Sequence, residues 1–287
     1  INKKNNEIYC ATDHLGQKPL FYTYQNNNLI LSSNVRSVAL IAKNNQPNID
    51  MFNYYISSYG GSLPGKMTFF KNIFNVPGGH LIKFKNKKLS LNKYFSPENL
   101  ISKNEYNKNK KKKPREKDYE FQHKLKEVVS NHYQTKVKKS LLLSGGSDSS
   151  LLAFLSKQNK QNIITASSSK KFEKIPFNTL PKIKKNLKLK TDKYKHRVEE
   201  FLPNLTKFIE MTGFAIPWTA SVPLFILCGF AKKLKSRIVI TGEGADEIMS
   251  GYYSNFNLLN KRGAYNIHHV LKLNKNSLNY KNKFHKH

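Results

Sequence analysis

Residues 137–155, Val137-Lys-Lys-Ser-Leu-Leu-Leu-Ser-Gly-Gly-Ser-Asp-Ser-Ser-Leu-Leu-Ala-Phe-Leu155, permit few local folds. Val137 to Leu143 is an apolar run of strand length, suited to a strand covered on both faces. Ser144-Gly145-Gly146 breaks it. Asp148 and the surrounding serines suit a helix cap and first turn, and Leu151, Leu152, Phe154 and Leu155 then supply an apolar helical stripe. Strand, glycine loop and helix in direct succession bring backbone N–H groups close to an anion. The positive end of the helix dipole lies behind them, and the hydroxyls of Ser144, Ser147 and Ser149 add donors. An acid inside such a loop needs a cation beside it, so Asp148 points to Mg²⁺. The competing reading is a serine-glycine turn ahead of an ordinary helix, because short glycine motifs recur without function.

A second loop has the same construction. Arg237-Ile-Val-Ile-Thr241 reads as a strand and runs straight into Gly242-Glu243-Gly244-Ala245-Asp246-Glu247. Alone this is an acidic turn capping a helix that starts near Glu247. The pair is more informative, because each loop directly follows an apolar strand of one α/β unit. In parallel sheets ligands sit at the carboxyl ends of strands. Together the loops make a Mg²⁺-nucleotide site, with backbone donors and Asp148 on one side and Glu243 and Asp246 on the other. No Gly-x-x-x-x-Gly-Lys-Ser/Thr occurs, which disfavours a γ-phosphate-cleaving NTPase.

The chain has 287 residues, room for one large or two ordinary domains. Residues 1–96 read as β-rich. Strands are expected at Ile8–Thr12, at Leu20–Tyr24 and Leu29–Ser33 about a polar turn, and at His80–Lys85 and Lys88–Leu91 about Asn86-Lys87. Short helices are expected at Val35–Ala42 and Asp50–Ser58, the latter followed by Gly60-Gly61. Residues 97–117 contain the run Asn107-Lys-Asn-Lys-Lys-Lys-Lys-Pro114, whose like charges predict an unordered basic linker, with a polybasic patch that touches nucleic acid as the sharper alternative. Residues 118–287 read as α/β. Helices are expected at Tyr119–Val137, Leu180–Leu187, Glu199–Met211 and Ala220–Leu234, with a further strand at Asn162–Ala166. Ser167 to Lys195 is otherwise polar, and little core is expected after Leu271.

The net charge of +32 invites a nucleic-acid hypothesis. Lysine is, however, spread along the whole chain with abundant asparagine, as AT-rich coding produces. Arginine, the bidentate reader of phosphate and guanine, is scarce. The balance weighs against nucleic acid as the main partner. Cys10 and Cys228 form no metal spacing, and Cys10 reads as a small buried strand residue. No apolar run is long enough to span a bilayer, so the reading is cytoplasmic, with no membrane partner.

Ser144-Gly-Gly-Ser-Asp-Ser149 resembles the pyrophosphate loop of N-type ATP pyrophosphatases. Ile240-Thr-Gly-Glu-Gly-Ala-Asp-Glu-Ile-Met-Ser-Gly-Tyr252 resembles the second signature of the asparagine synthetase family. Ala11-Thr-Asp13-His-Leu-Gly16-Gln-Lys18-Pro19-Leu-Phe-Tyr22, Leu31-Ser-Ser-Asn-Val-Arg-Ser-Val38 and Phe69 to His80 are similar to late parts of that family's glutaminase domain, in family order. The resemblance implies a parallel-sheet ATP pyrophosphatase domain of HUP-like, adenine nucleotide α-hydrolase type. Before it would stand the C-terminal part of an Ntn-hydrolase (class II glutamine amidotransferase) domain.

By that resemblance ATP binds at Ser144, Gly145, Gly146, Ser147, Asp148 and Ser149. Leu142 and Leu143 lie on the adenine side, and Gly242 and Glu243 adjoin. Asp148 and Asp246 hold Mg²⁺. A carboxylate attacks the α-phosphorus, giving an acyl-adenylate and pyrophosphate. Ammonia from glutamine then displaces AMP while Glu243 handles its protons. Aspartate is the implied acceptor, a sugar acid, peptide or β-lactam precursor the alternatives, and a homodimer is admitted. A non-catalytic basic binding protein is the rival from another class.

There are departures. The family's glutaminase opens on a catalytic cysteine, whereas this chain opens on Ile1 and carries the later part of that domain, as an internal piece of a longer protein or a degenerate relative would. The arginine expected near Pro217-Trp-Thr-Ala-Ser-Val-Pro223 is missing. His196 could match a family histidine, but it reads as solvent-facing.

Overall fold

Two pairs of left-handed residues set the registers of the N-terminal third. Asn26 and Asn27 (φ 48° and 61°) and Asn86 and Lys87 (φ 49° and 60°) form two-residue hairpin loops, the turn type whose twist matches that of paired strands. In the computed structural model, which describes residues 1–2, 4–58, 63–157, 161–167 and 179–249, these turns join β2 (Phe21–Gln25) to β3 (Asn28–Ser32) and β5 (His80–Lys85) to β6 (Lys88–Lys93). With β1 (Glu7–Ala11) and β4 (Phe74–Asn75) they build two antiparallel sheets, ordered β1-β5-β6 and β3-β2-β4. The expected strands and both short helices are present, as α1 (Val35–Ile41) and α2 (Ile49–Ser57). Cys10 lies in β1 as expected but is half-buried rather than buried, its thiol pushed up by partial desolvation.

The chain divides into two compact units. The first holds the N-terminal 132 residues and Tyr194–Lys235. Its core joins Phe21, Val35, Val38, Ala39 and Ile73 with the partly buried Phe214. Phe214 follows α7 (Phe201–Thr212) and lies against the rings of Phe21 and Phe69 at 5.5 and 6.0 Å. The end of α7 is satisfied by side chains far away in sequence. Asn34 donates to Met211 O (2.7 Å), the Arg36 guanidinium donates to Glu210 O, and the Tyr55 hydroxyl donates to Ile216 O (2.5 Å). Glu210 and Met211 lie in the last turn of α7, whose carbonyls a helix terminus leaves without intrahelical donors, and Ile216 lies in the chain just beyond it. Gly213 closes the helix at φ 72°, and a Cβ there would lie 2.5 Å from Val35 Cγ1. α8 (Ser221–Lys233) packs on α7 through Phe208 and Phe225.

The basic stretch departs from expectation. Residues 103–111 form a helix, α3 (Lys103–Lys111), and α4 (Pro114–Tyr133) starts several residues before the expected one. Local devices outweigh charge repulsion. Ser102 and Glu105 form a reciprocal capping box, Pro114 occupies the first turn of α4, and Lys112 pairs with Glu120 at 2.7 Å. Lysine is itself a good helix former. No residue of α3 is buried, and Tyr106 is its one large ring.

The second unit contains a four-stranded sheet ordered β10-β7-β8-β9. Its strands are β7 (Lys139–Leu142), β8 (Asn162–Ser167), β9 (Asp192–Lys195) and β10 (Ile238–Ile240), with β7 parallel to both β8 and β10. α5 (Ser147–Leu155) and α6 (Leu180–Leu187) pack on it, and α9 (Ala245–Met249) follows β10. Its core is Leu141, Leu143, Ala153 and Ile163, with Leu152, Leu180, Ile183 and Ile240 around them. The mixed α/β class and the parallel sheet follow expectation. β9 lies where only polar chain was expected, because Asp192-Lys-Tyr-Lys has alternation but little apolar content. Gly60-Gly61, much of the polar stretch after Ser167 and everything beyond Met249 lie outside the described residues. Among the described residues no helix is long and apolar enough to cross a membrane.

Two consequences can be measured. Glu7 accepts from Tyr9 (3.0 Å) and pairs with Lys85 (2.9 Å) and Lys83 (3.5 Å). The Lys85 hydrogen bond, then Tyr9, hold its carboxyl down at about 2 from an ordinary 4.5. A depressed carboxyl stabilises above its unfolded pKa and loses that contribution as pH falls through the folded one. Glu7→Gln should therefore lower the melting temperature at pH 7. It should also flatten the acid dependence between about 4.5 and 2; parallel acid curves for the two proteins would refute this. Gly213→Ala should destabilise by about 1–3 kcal/mol through left-handed strain, more if Val35 cannot move, as read by chemical denaturation.

Candidate nucleotide site

The candidate site lies in the second unit, at the carboxyl ends of two neighbouring parallel strands. β7 is buried because Leu141 and Leu143 point into the core (0% and 1% exposed), while Leu142, between them, faces the other way and is half-buried. Burying one such leucine contributes about 1.5–3 kcal/mol. The side chain of Leu143 is therefore committed to packing, and only its backbone can take part at the site. Leu142 keeps a side chain available to line it.

The first loop bends at Gly145, φ 92°, a conformation that side-chain-bearing residues rarely adopt. A Cβ there would also meet Leu180 Cβ at 3.1 Å and Leu180 N at 3.2 Å. Thr179 donates its hydroxyl to Gly145 O. The start of α6 thus clamps the loop, and sequence reading missed both Thr179 and Leu180. The available signal was Thr179-Leu-Pro181, a hydroxyl residue ahead of a proline in the first helical turn.

Gly146 is the N-cap of α5 and, lacking a side chain, leaves the first N–H groups of the helix without a cap acceptor. Its ideal Cβ meets only Ser144 Oγ, at 3.5 Å, so the space in front of the loop is open. The serines divide their work. Ser149 is buried, with its hydroxyl 2.9 Å from Ser144 Oγ and donating to Gly146 O at 3.3 Å. Ser150 donates to the same carbonyl at 2.5 Å. Ser149 therefore braces the loop from inside, a role other than the outward donor the sequence suggested. Ser144 and Ser147 remain exposed, and the Ser147 hydroxyl donates to Asp148 Oδ1 at 3.1 Å.

The second loop lies against the first. A Cβ on Gly242 would be 3.1 Å from Asp148 Cβ and 3.3 Å from Ser149 N, so the two backbones meet where only glycine fits easily. Gly244, at φ 93°, has nothing within 4 Å of its ideal Cβ. Glu243 is exposed, Asp246 half-buried in the first turn of α9, and Glu247 exposed beside it. Among the described residues no three His, Cys, Asp or Glu side chains converge as a metal cage. Asp148 and Asp246 alone fit Mg²⁺, which takes one or two carboxylates and completes its shell with phosphate oxygens and water. They do not fit a metal that needs a closed protein ligand set. His196 belongs to the first unit. It is half-buried edge-on to Tyr194 at 5.0 Å, not solvent-facing, and desolvation pushes its imidazole down.

Comparison with known proteins agrees with this arrangement. The family profile of asparagine synthase matches residues 120–286, and that of the glutamine amidotransferase domain matches residues 1–95. A Methanocaldococcus jannaschii protein provisionally named a glutamine-hydrolyzing asparagine synthetase is 24% identical over 264 residues, 90% of this chain and 49% of that protein. Asparagine synthetases 1 and 2 (glutamine-hydrolyzing) of Bacillus subtilis are 25% and 26% identical, covering 88% of this chain and 38% and 35% of their own lengths. The chain thus spans half or less of the length of these relatives. Its paired glycine loops and these matches make it a member of the asparagine synthase family, with a glutamine amidotransferase segment ahead of the synthase region.

Proposed function

We propose that the protein is an ATP-dependent, AMP-forming amidotransferase that adenylates a carboxylate, aspartate in the first instance, and converts it to the amide with ammonia from glutamine. The observation that carries this is the contact of Gly242 with Asp148, which sets two open glycine loops side by side in an asparagine synthase chain. In this reading the second unit has the HUP-like pyrophosphatase fold, and residues 1–96 are the later part of an Ntn-type glutaminase, joined through 97–117 to the synthase part at 118–287. The setting is the cytoplasm.

The residue roles follow from charge. The open N–H groups at the start of α5, with the hydroxyls of Ser144 and Ser147, hold the β- and γ-phosphates. Asp148 and Asp246 would hold Mg²⁺, which when bound neutralises the departing pyrophosphate. Leu142 lines the adenine side, with the Leu143 backbone beside it. The acceptor carboxylate forms a bond to the α-phosphorus as the bond to the pyrophosphate oxygen breaks. Ammonia then forms the C–N bond, AMP leaves from the acyl carbon, and Glu243, exposed at the loop tip, takes the surplus proton from nitrogen. Ser149, Thr179 and Leu180 hold the loop that does this and touch no substrate.

The full-length protein incubated with ATP, Mg²⁺, aspartate and glutamine should release pyrophosphate and AMP in equal amounts with asparagine. No pyrophosphate with aspartate, sugar acids, peptides or β-lactam precursors would refute the reading, and release with one of the others would reassign the acceptor. Asp148→Ala and Asp246→Ala should each lower pyrophosphate release about a hundredfold or more, with unchanged circular dichroism.

Gly242→Val tests the loop contact separately. Its added atoms must displace Asp148, so Mg²⁺-dependent turnover should fall at least about tenfold with little change in melting temperature. Unchanged turnover would show that the contact is incidental.

A further inference from the structure

We propose that the groove between α3 and α4 binds single-stranded nucleic acid without regard to sequence. This goes beyond the amidotransferase reading and does not depend on it. The groove offers about 560 Å³ and is lined by Lys110, Lys112, Lys117 and Lys124 with Tyr106 and Phe121, and also by Asn109 and the carboxylate of Glu120. Residues 103–113 carry six lysines and one glutamate, whereas α4 balances Arg115, Lys117, Lys124 and Lys126 against four acids. The basic excess therefore lies on α3 and the turn after it, beside the α4 lysines that line the groove. α3 buries nothing, and Tyr106 and Phe121 are 57% and 46% exposed. Exposed rings beside lysines give one surface that can both stack bases and meet phosphates.

The combination selects among polyanions. Phosphates are met by lysine ammonium groups, and bases stack on aromatic faces whatever their identity. An acidic peptide would use the lysines and leave the rings idle. A membrane surface favours a flat basic face over a concave one. Arginine is nearly absent from these helices, Arg115 being the exception, so bidentate base reading is not built in and binding is indifferent to sequence. Two internal pairs compete with a phosphate: Lys112 with Glu120 at 2.7 Å and Lys124 with Glu127 at 3.1 Å. Lys117 spends one donor on Lys110 O at 3.2 Å. The Lys124–Glu127 pair is exposed and contributes little, about 0–1 kcal/mol, so a phosphate can displace it; Lys112 is half-buried and stays with Glu120, leaving Lys110, Lys117 and Lys124 to meet phosphate. The arriving strand would also release its condensed counterions.

The test uses the full-length protein and fluorescein-labelled single-stranded RNA and DNA of about 12 nucleotides, read by anisotropy across a salt series without ATP or acceptor. Both strands should bind. Lys110→Glu with Lys117→Glu should weaken binding at least tenfold and flatten the dependence on salt. Tyr106→Ala with Phe121→Ala should weaken it about tenfold and leave the salt slope unchanged. Should that alanine pair lose helicity by circular dichroism, Tyr106→Trp with Phe121→Trp must retain wild-type affinity. Polyglutamate or phosphatidylserine vesicles competing as well as RNA at equal charge, or either double variant binding like the wild type, would overturn the proposal. Because the assay needs no turnover, its failure leaves the catalytic reading untouched.

Discussion

Everything proposed for the second unit depends on the parallel pairing of β7 with β10. That ladder has three residue pairs, ending on Ile240 opposite Leu141. So short a ladder needs help at both ends. At the amino ends of the strands a buried polar clasp supplies it. Ser140 and Ser236 share a hydrogen bond of 2.7 Å, Asn162 donates to Ser236 Oγ at 3.1 Å, and Arg237 N donates to Lys138 O at 2.9 Å. Each hydroxyl in the clasp has a partner, so burying it stabilises the register instead of opposing it. At the carboxyl ends the fit is steric: Gly242 admits Asp148 because it has no Cβ. Polar pins at the closed end and a missing side chain at the open end hold the two acidic loops together.

The first unit makes a related point about domains. Its core includes residues from both family matches, because Phe214 packs with Phe21 and Phe69. The end of α7 is satisfied by Asn34 and Arg36 at the start of α1. Packing therefore crosses the boundary that composition marks near residue 96. A helix end with carbonyls to satisfy and a partly buried ring are the physical links. Breaking the chain at that boundary would leave Val35 and Phe69 against solvent, even though each side has its own sequence identity.

What could be read from the sequence follows this division. Strands and helices with a strong period were visible, as were the hairpin about Asn86-Lys87 and a polar turn at Gln25 to Asn28, which the fold narrows to the two residues Asn26 and Asn27. Both glycine loops were visible because each interrupts an apolar strand with glycines and acids that local sequence shows directly. The positions that fix them were not. Thr179 and Leu180 act across 34 residues or more on Gly145, and Gly213 acts on Val35; such contacts leave no periodic trace. Ser149 looked like a phosphate donor because a hydroxyl's direction is set by the fold, and here it points inward. Charge misled at α3, where a capping box and one lysine–glutamate pair organise a run that composition alone leaves unordered.

The charge balance gives the candidate site its context. Only 18 of 287 residues are acidic, yet Glu243, Asp246 and Glu247 fall within five consecutive positions and Asp148 touches that loop. In a chain of net charge +32 such a concentration is costly to leave without purpose, since acids placed elsewhere would relieve lysine repulsion. The surrounding positive potential draws anions such as nucleotide phosphates toward the protein. At the loops themselves the local acids oppose phosphate unless a divalent cation stands between. On the proposed reading, attraction at long range with a cation requirement at short range would favour a metal-bound polyphosphate over a free one, and the placement of these few acids would set that preference.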